Sequence, residues 1–357
     1  AAPVPPRRPD ELDLLLASVA TLQATGHQAL RRNAEQHAQL RESELLYHSI
    51  VRGAGDGILL VDKPGGKTSA DVVRAIKRAH RVASIGHLGT LDPMATGLLP
   101  LCLGAGTKIA QFLAAERKAY EGEIRLGVAT DTLDVTGRVL EERPVPSIGP
   151  GELDAAAARF LGPSEQRPPM YSAVKVGGRE LYKLAREGQE VDRAPRPIEI
   201  YAFTLRPVTG DPTRLWFSVD CSKGTYVRVI AEDVGRALGT VAALAALRRT
   251  RFGEFSVEEA TPLEQLVAAP PGELPVIGVR QALRGIPERA VDGATAFAVA
   301  TGQRWVLGER LAPPGPGDRL LSLIAPNGQV LAVLEAGGGA WELRRVLLPE
   351  ASQLYRP

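Results

Sequence analysis

The sequence predicts a fold that mixes strands and helices, and three observations lead there. Residues 57–81 run from an apolar stretch through a glycine-rich loop into a helical apolar repeat, which reads as strand, loop and helix. Lys118–Gly127 alternates as a strand does, and two further strands are expected from Ile198 onward. Residues 286–349 break into short apolar runs parted by Gly and Pro turns such as Pro326-Asn327-Gly328, predicting four to six short strands in a small barrel-like module. At 357 residues the chain should divide into two or three units, with ample length for a buried core.

Composition narrows the function classes. No apolar run approaches the roughly 18 residues that cross a bilayer, and the first residues lack the basic-then-apolar layout of a signal peptide, so the cytoplasm is the expected compartment. Cys102 and Cys221, the two cysteines, lie far apart in apolar runs, which argues against a disulfide framework or a Cys-rich zinc site. The net charge is only +2, but residues 57–255 hold 28 Lys and Arg against 23 Asp and Glu, while the remainder holds 15 against 18. This excess in the middle of the chain mildly supports a polyanionic partner.

In chain order, residues 1–9, rich in proline, read as a disordered leader. A helix is expected from Asp10, with Leu12, Leu15, Leu16, Val19 and Leu22 at helical spacing, and a second, more polar one over Gln28–Ile50. Ser43 to Ile58 weakly resembles the entry into a PAS sensor domain, of which nothing follows. Gly57–Asp62 is a buried strand, and Thr68 with Asp71 makes a capping-box start to a helix that turns Val72, Val73 and Ile76 inward and Arg74, Lys77, Arg78 and Arg81 outward. The Gly66-Lys67-Thr68 triplet imitates a nucleotide-binding P-loop, but Val61 stands where the first glycine belongs, so the phosphate cradle is incomplete. Gly104-Ala105-Gly106 alone carries no dinucleotide signal.

The stretch Ile85–Leu103 concentrates the constraints. Gly86, Gly89 and Gly97 allow angles or close approaches that a side chain would block, and Pro93 pushes Asp92 out of the helical region, holding its carboxylate on a stiff turn. The apolar run Leu98–Leu103 that follows suits a strand or a helix buried on both sides. A carboxylate on a loop backed by a core element is a common way to build an active site.

Further on, Thr130–Gly137 is a polar turn, residues 152–161 are a short Ala-rich helix, and Gln166–Lys175 is a rigid proline-containing segment. Arg179–Gly188 reads as a basic helix, and a helix is expected over Val229–Leu238 after the strand that ends at Cys221. Pro270, Pro271 and Pro275 mark a linker before the strand-rich end.

Four of these segments together resemble one family. The string Gly86-His87-Leu88-Gly89-Thr90-Leu91-Asp92-Pro93-Met94-Ala95-Thr96-Gly97-Leu98-Leu99 is similar to the signature of the bacterial tRNA pseudouridine-55 synthases of the TruB type. So are Arg167-Pro168-Pro169-Met170-Tyr171-Ser172-Ala173-Val174-Lys175, Cys221-Ser222-Lys223-Gly224-Thr225-Tyr226-Val227-Arg228, and Leu244 to Gly253. The resemblance implies an α+β fold with a central, mostly antiparallel mixed sheet flanked by helices and a C-terminal PUA-like β domain. It sets the expected units at 1–56 (an atypical helical extension), 57–256 (the synthase body, with an RNA-clamping insertion at about 164–197), 257–285 (a linker) and 286–349 (the PUA-like module).

It also implies residue roles. Asp92 is then the essential catalytic group, Arg228 its cationic partner, Tyr120 the ring that stacks on the target base, Tyr226 a ring beneath it, and Leu247 a wall of the base pocket. His87 helps reshape the RNA, with a general acid or a purely structural histidine as the alternatives, and Lys63 and Lys175 contact substrate. From charge alone Lys63, Lys67, Lys118, Lys175, Lys223, Arg248 and Arg249 are candidate phosphate contacts. The expected partner is the TΨC stem-loop of tRNA, bound by a monomer without membrane, metal or nucleotide cofactor.

Isomerising uridine requires no electrons and no outside atoms, which suits a chain without a metal cluster or a complete nucleotide motif. One carboxylate suffices, as a nucleophile or as a base for the 2′ proton. Glycoside hydrolysis, with Asp131 or Asp134 as a second carboxylate, and a non-catalytic RNA-binding role are the rival readings.

Overall fold

A computed structural model describes residues 55–113, 117–172 and 174–347. The helices expected from Asp10 and over Gln28–Ile50 lie outside the described residues.

The body is one large mixed sheet. Its strands are β1 (Gly57–Lys63), β2 (Ile85–His87), β3 (Thr96–Leu103), β4 (Arg117–Leu126), β7 (Gly162–Gln166), β10 (Arg196–Val208), β11 (Asp211–Ser222), β12 (Ala242–Phe252), β13 (Phe255–Ser256), β14 (Thr261–Pro262) and β15 (Val276–Gly278). Between them lie two ribbons, β5 (Val128–Thr130) with β6 (Val139–Glu142), and β8 (Lys175–Val176) with β9 (Arg179–Glu180). The order is β14-β1-β3-β12-β4-β11-β10-β7, with β2 on β3, β13 on β12 and β15 on β1. Only β1 with β14 and β3 with β12 are parallel, so the sheet is mostly antiparallel.

Helix α1 (Ser69–His80) starts as its sequence dictates. The Asp71 amide donates to Thr68 Oγ1 at 3.1 Å and the Thr68 amide donates back to Asp71 Oδ2 at 2.9 Å, a reciprocal cap that satisfies two orphan donors. Val72, Ile76 and His80 face the core. Helices α2 (Gly106–Ile109), α3 (Pro150–Ala158) and α4 (Leu181–Arg186) follow, then α5 (Val227–Ala237), which begins two residues earlier than its apolar spacing predicts and so takes in Arg228.

Strands β1 and β3 separate two cores. Leu59 and Val61 join Leu99, Leu101 and Leu103 on one face, against α1 and α5, while Ile58 and Leu60 join Leu98 and Cys102 on the other. Period-2 alternation sends successive side chains to opposite faces, and here both faces are covered, which is why residues 98–103 read as an unbroken apolar run. The second core is completed by Phe252, Phe255, Ile324, Val330, Val333 and Leu347, so the C-terminal module is seated on the back of the strand that leaves the Asp92 turn.

That module has a four-stranded sheet, β16 (Glu288–Ala290), β17 (Leu320–Ile324), β18 (Val330–Gly337) and β19 (Ala340–Val346). It also holds two helices that turn spacing did not predict, α8 (Gly293–Ala300) and α9 (Trp305–Arg310), which follow α6 (Leu263–Ala268) and α7 (Val279–Ala282) in the chain. Residues 257–285 are not a free linker, despite their prolines. Thr261 and Pro262 pair with Val61 and Asp62, and Val276–Gly278 pair with Gly57–Leu59, so the stretch closes the edge of β1, with Leu263, Leu266 and Leu274 buried. Among the described residues no helix is long and apolar enough to cross a membrane.

Candidate active site

Asp92 sits on a turn held from three sides. The Ala95 amide donates to the Asp92 carbonyl, the Gly66 amide donates to Pro93 O at 2.8 Å, and Ser69 Oγ bridges both backbone groups of Leu91. Gly89, with φ +63°, is required nearby: a Cβ there would fall 2.6 Å from the Phe252 ring.

Arg228 reaches the carboxylate from α5 in a side-on pair, Nε to Oδ2 at 2.8 Å and Nη2 to Oδ1 at 3.1 Å. Its other donors are used as well, Nη1 on the Thr132 carbonyl at 3.0 Å and Nη2 on the Tyr171 carbonyl at 2.8 Å. The guanidinium side chain is 5% exposed, while a third of Asp92 (34%) reaches solvent. Burial nevertheless pushes the Asp92 carboxyl above the usual carboxylate range. Arg228 opposes the rise, Asp134 adds to it, and Lys63 opposes it.

The polar turn before β6 positions the Thr132 carbonyl. Asp134 is buried, and its Oδ1 accepts from Thr132 Oγ1 at 2.9 Å, the Thr136 amide at 3.0 Å and Thr136 Oγ1 at 2.5 Å. Leu133 between them takes a left-handed φ of +63°. Asp134 is thus committed to its loop, and Asp131 Oδ1 accepts from the Arg138 amide at 2.9 Å, so neither faces Asp92 as a free second carboxylate.

The remaining predicted residues lie on neighbouring strands. In register, β12 sets Arg248 beside Thr96 and Arg249 between Gly97 and Tyr120, so Leu247 lies on the strand next to the one leaving the Asp92 turn and Tyr120, on β4, one strand further. Tyr120 is buried, and desolvation raises its phenol, with Arg249 opposing and Asp92 adding to the rise. Tyr226 is the residue before α5, and Leu247 accepts from Thr96 Oγ1 at 3.3 Å through its carbonyl. His87 on β2 has a buried Nδ1 without a partner, and burial first, then Arg249, lowers its pKa. An open cleft of about 510 Å³, lined by Met94, Thr96, Val135, Thr136, Leu247 and Arg248, runs past the turn. A larger hollow around Arg125, Arg143 and Pro212 contains none of the predicted site residues.

Two assignments need correction. Lys63 is wholly buried, and its ammonium donates to the Pro64 and Pro93 carbonyls at 2.9 and 3.2 Å. It anchors the turn from behind and is no surface contact for phosphate. Arg249 is also wholly buried, donating from Nε to Leu98 O at 2.7 Å and from Nη2 to Gly89 O at 2.9 Å. Arg248 is engaged by Asp62 through two bonds. Charge alone gave no sign of this, because all the acceptors but the adjacent Pro64 carbonyl come from distant segments. Lys67 and Lys223 are exposed, and the Lys175 side chain lies outside the described set. Gln166, which sequence reasoning passed over, is buried and bonded to the backbone of Tyr226. Among the described residues no three His, Cys, Asp or Glu side chains gather to hold a metal ion.

Two sequence profiles match adjoining stretches of this chain across the site, "TruB family pseudouridylate synthase (N terminal domain)" over residues 77–227 and "tRNA pseudouridylate synthase B C-terminal domain" over residues 228–271. Similar full-length proteins are tRNA pseudouridine synthase B of Cupriavidus metallidurans, 44% identical over 298 residues (82% of this chain, 94% of that one), and of Burkholderia pseudomallei, 44% identical over 296 residues (79% and 97%). The chain belongs to the TruB family of pseudouridine synthases. The second TruB profile extends through residue 271, into the stretch that composition had set apart as a linker. Its fold is shared with a solved Cbf5-Nop10-Gar1 complex (TM-score 0.59, 24% identity, covering 82% of this chain and 85% of that one). An H/ACA RNP bound to a substrate RNA containing 2′-deoxyuridine shares it as well (TM-score 0.60, 22% identity, 85% and 87%).

Proposed function

We propose that this TruB family chain, acting as a monomer, isomerises uridine 55 in the TΨC arm of tRNA to pseudouridine, with Asp92 as the reacting carboxylate. The side-on pair of Asp92 with a buried arginine whose three nitrogens are all hydrogen-bonded carries the reading. A guanidinium stays protonated in a protein, so it stabilises an ionised carboxylate in surroundings that otherwise favour the neutral acid.

The reaction breaks the bond between N1 of the base and C1′ of the sugar and joins C5 to the same C1′. The proton on C5 leaves, N1 gains one, and mass is unchanged. Asp92 enters ionised, either attacking as a nucleophile or removing the 2′ proton. Tyr120 offers an aromatic face to a base drawn out of its helix, worth roughly 1–3 kcal/mol against an unstacking cost of a few. Tyr226 and Leu247 complete the base pocket in this reading. His87, which burial keeps neutral, acts on the RNA fold by hydrogen bonding and contact rather than by charge.

The test is direct. An unmodified tRNA transcript is incubated with the protein and pseudouridine is mapped by carbodiimide-stop sequencing, with Asp92→Asn alongside. A stop at position 55 with wild type and none with Asp92→Asn is expected; a stop elsewhere, or release of free uracil, defeats the proposal.

A further inference from the structure

The root of the insertion between β7 and β10 is tied to the start of α5. Gln166 ends β7, and its carboxamide bridges both backbone groups of Tyr226: Oε1 accepts from the amide at 2.7 Å and Nε2 donates to the carbonyl at 3.1 Å. This is a side chain pairing as a strand would, and it needs a donor and an acceptor on one planar group. Tyr226 needs such help, since its own side chain supplies no cap to the helix. Its carbonyl also receives the Val229 and Ile230 amides of the first turn. Two residues after Tyr226 comes Arg228, and the Tyr171 carbonyl, from the same insertion root, takes its Nη2.

The geometry points to Gln166 as a positioning residue: its carboxamide holds the Tyr226 peptide groups and thereby the start of α5, so that Arg228 meets Asp92 side-on. This rests on the reading in which Asp92 reacts and Arg228 keeps it charged. Gln166 need never touch the RNA.

Gln166→Met keeps the length of the side chain and removes both bonds. Gln166→Glu keeps the acceptor for the Tyr226 amide but turns a second oxygen on the Tyr226 carbonyl, a repulsion relieved when the carboxyl is protonated. Full-length variants, wild type and Asp92→Asn are compared on unmodified tRNA by single-turnover rate against pH, by tRNA affinity and by thermal melting. For Gln166→Met the rate falls about 10- to 100-fold, affinity stays within about threefold, and the acid limb of the pH–rate profile moves to higher pH. The limb moves because a displaced Arg228 no longer opposes burial and Asp134, leaving Lys63 as the other cation facing Asp92. For Gln166→Glu the rate relative to wild type recovers as pH falls.

A side chain that merely fills space would lower the melting temperature and leave the limb in place. A wild-type rate or an unmoved limb in Gln166→Met overturns the assignment. If that variant does not fold, Gln166→Glu decides by its relative rate: a deficit that does not recover as pH falls overturns the assignment. An active wild type beside an inactive Asp92→Asn preserves the reading of Asp92 whatever Gln166 does; an active Asp92→Asn removes that reading and the role of Gln166 with it.

Discussion

Arg249 donates to the Gly89 carbonyl at 2.9 Å and to the Leu98 carbonyl at 2.7 Å, so one wholly buried cation stitches together the two ends of the segment that carries Asp92. The guanidinium also lies over the Phe252 ring, 5.1 Å from its centroid, and Nη1 is left without a hydrogen-bond partner. A cation placed this way serves the turn before it serves any ligand. Arg249→Leu should take the guanidinium from one buried and one part-buried carbonyl and cost about 2–4 kcal/mol of stability by urea titration. The salt dependence of tRNA binding should not change, and a flattened dependence would return Arg249 to the phosphate contacts.

Arg228→Lys should abolish the side-on pair while keeping a positive charge. A lysine cannot serve Asp92 and the Thr132 and Tyr171 carbonyls in the same plane. The single-turnover rate is expected to drop by about 100-fold or more, with affinity for tRNA nearly unchanged. A near-normal rate would exclude the pairing as part of catalysis.

With Asp92 as the reacting carboxylate, the acid limb of the rate profile should report its ionisation. Its carboxyl is raised by burial, so it takes up a proton at a higher pH than an ordinary aspartate, and the rate should fall as pH is lowered through that raised value. In Arg228→Gln the opposing charge is gone, and the limb should move further up. A downward shift would contradict the electrostatics of the pair.

Lys63 and Lys118 are both brought down to about 8 by burial, against 10.5 for an ordinary lysine. Between about pH 8 and 10.5 the unfolded chain therefore holds more protons than the folded one, and stability should rise with pH across that window. Lys63 contributes at most about 3 kcal/mol of that rise. Urea titrations of Lys63→Met from neutral pH to pH 10 should show a shallower rise than wild type, and an identical slope would refute the burial argument.

Lys67 is exposed on the loop before α1, beside the Asp92 turn. Lys67→Ala should reduce the slope of log affinity against log salt by about 0.7–0.9, measured by filter binding of tRNA. Lys63→Met should leave that slope as it is, and equal losses in both would undo the distinction between them.

Local features were legible in the residues. The capping box of Thr68 and Asp71 joins groups three positions apart, and Asp92 on its proline-stiffened turn follows from neighbours in the chain. The pairing of Asp92 with Arg228 was legible only through the family likeness of two separate motifs, because they stand 136 positions apart. Residues 257–285 were misread for a related reason: proline content describes the chain locally, whereas the pairing of Thr261 and Val276 with β1 depends on an edge 200 residues away. Helix α8 escaped notice because its Ala-rich residues carry little periodic contrast, although Asp292 caps it through the Thr295 amide at 2.7 Å.

By itself, the sequence determined the elements whose causes are near neighbours: the alternating strands, the capped helix, the rigid turn bearing Asp92, and the motifs that mark the family. The tertiary structure decided which cation pairs with the Asp92 carboxylate, which are buried braces and which stay exposed. Lys63, Lys67, Arg228 and Arg249 carry the same formal charge, and only the carbonyls and carboxylates that folding brings from distant strands separate their roles.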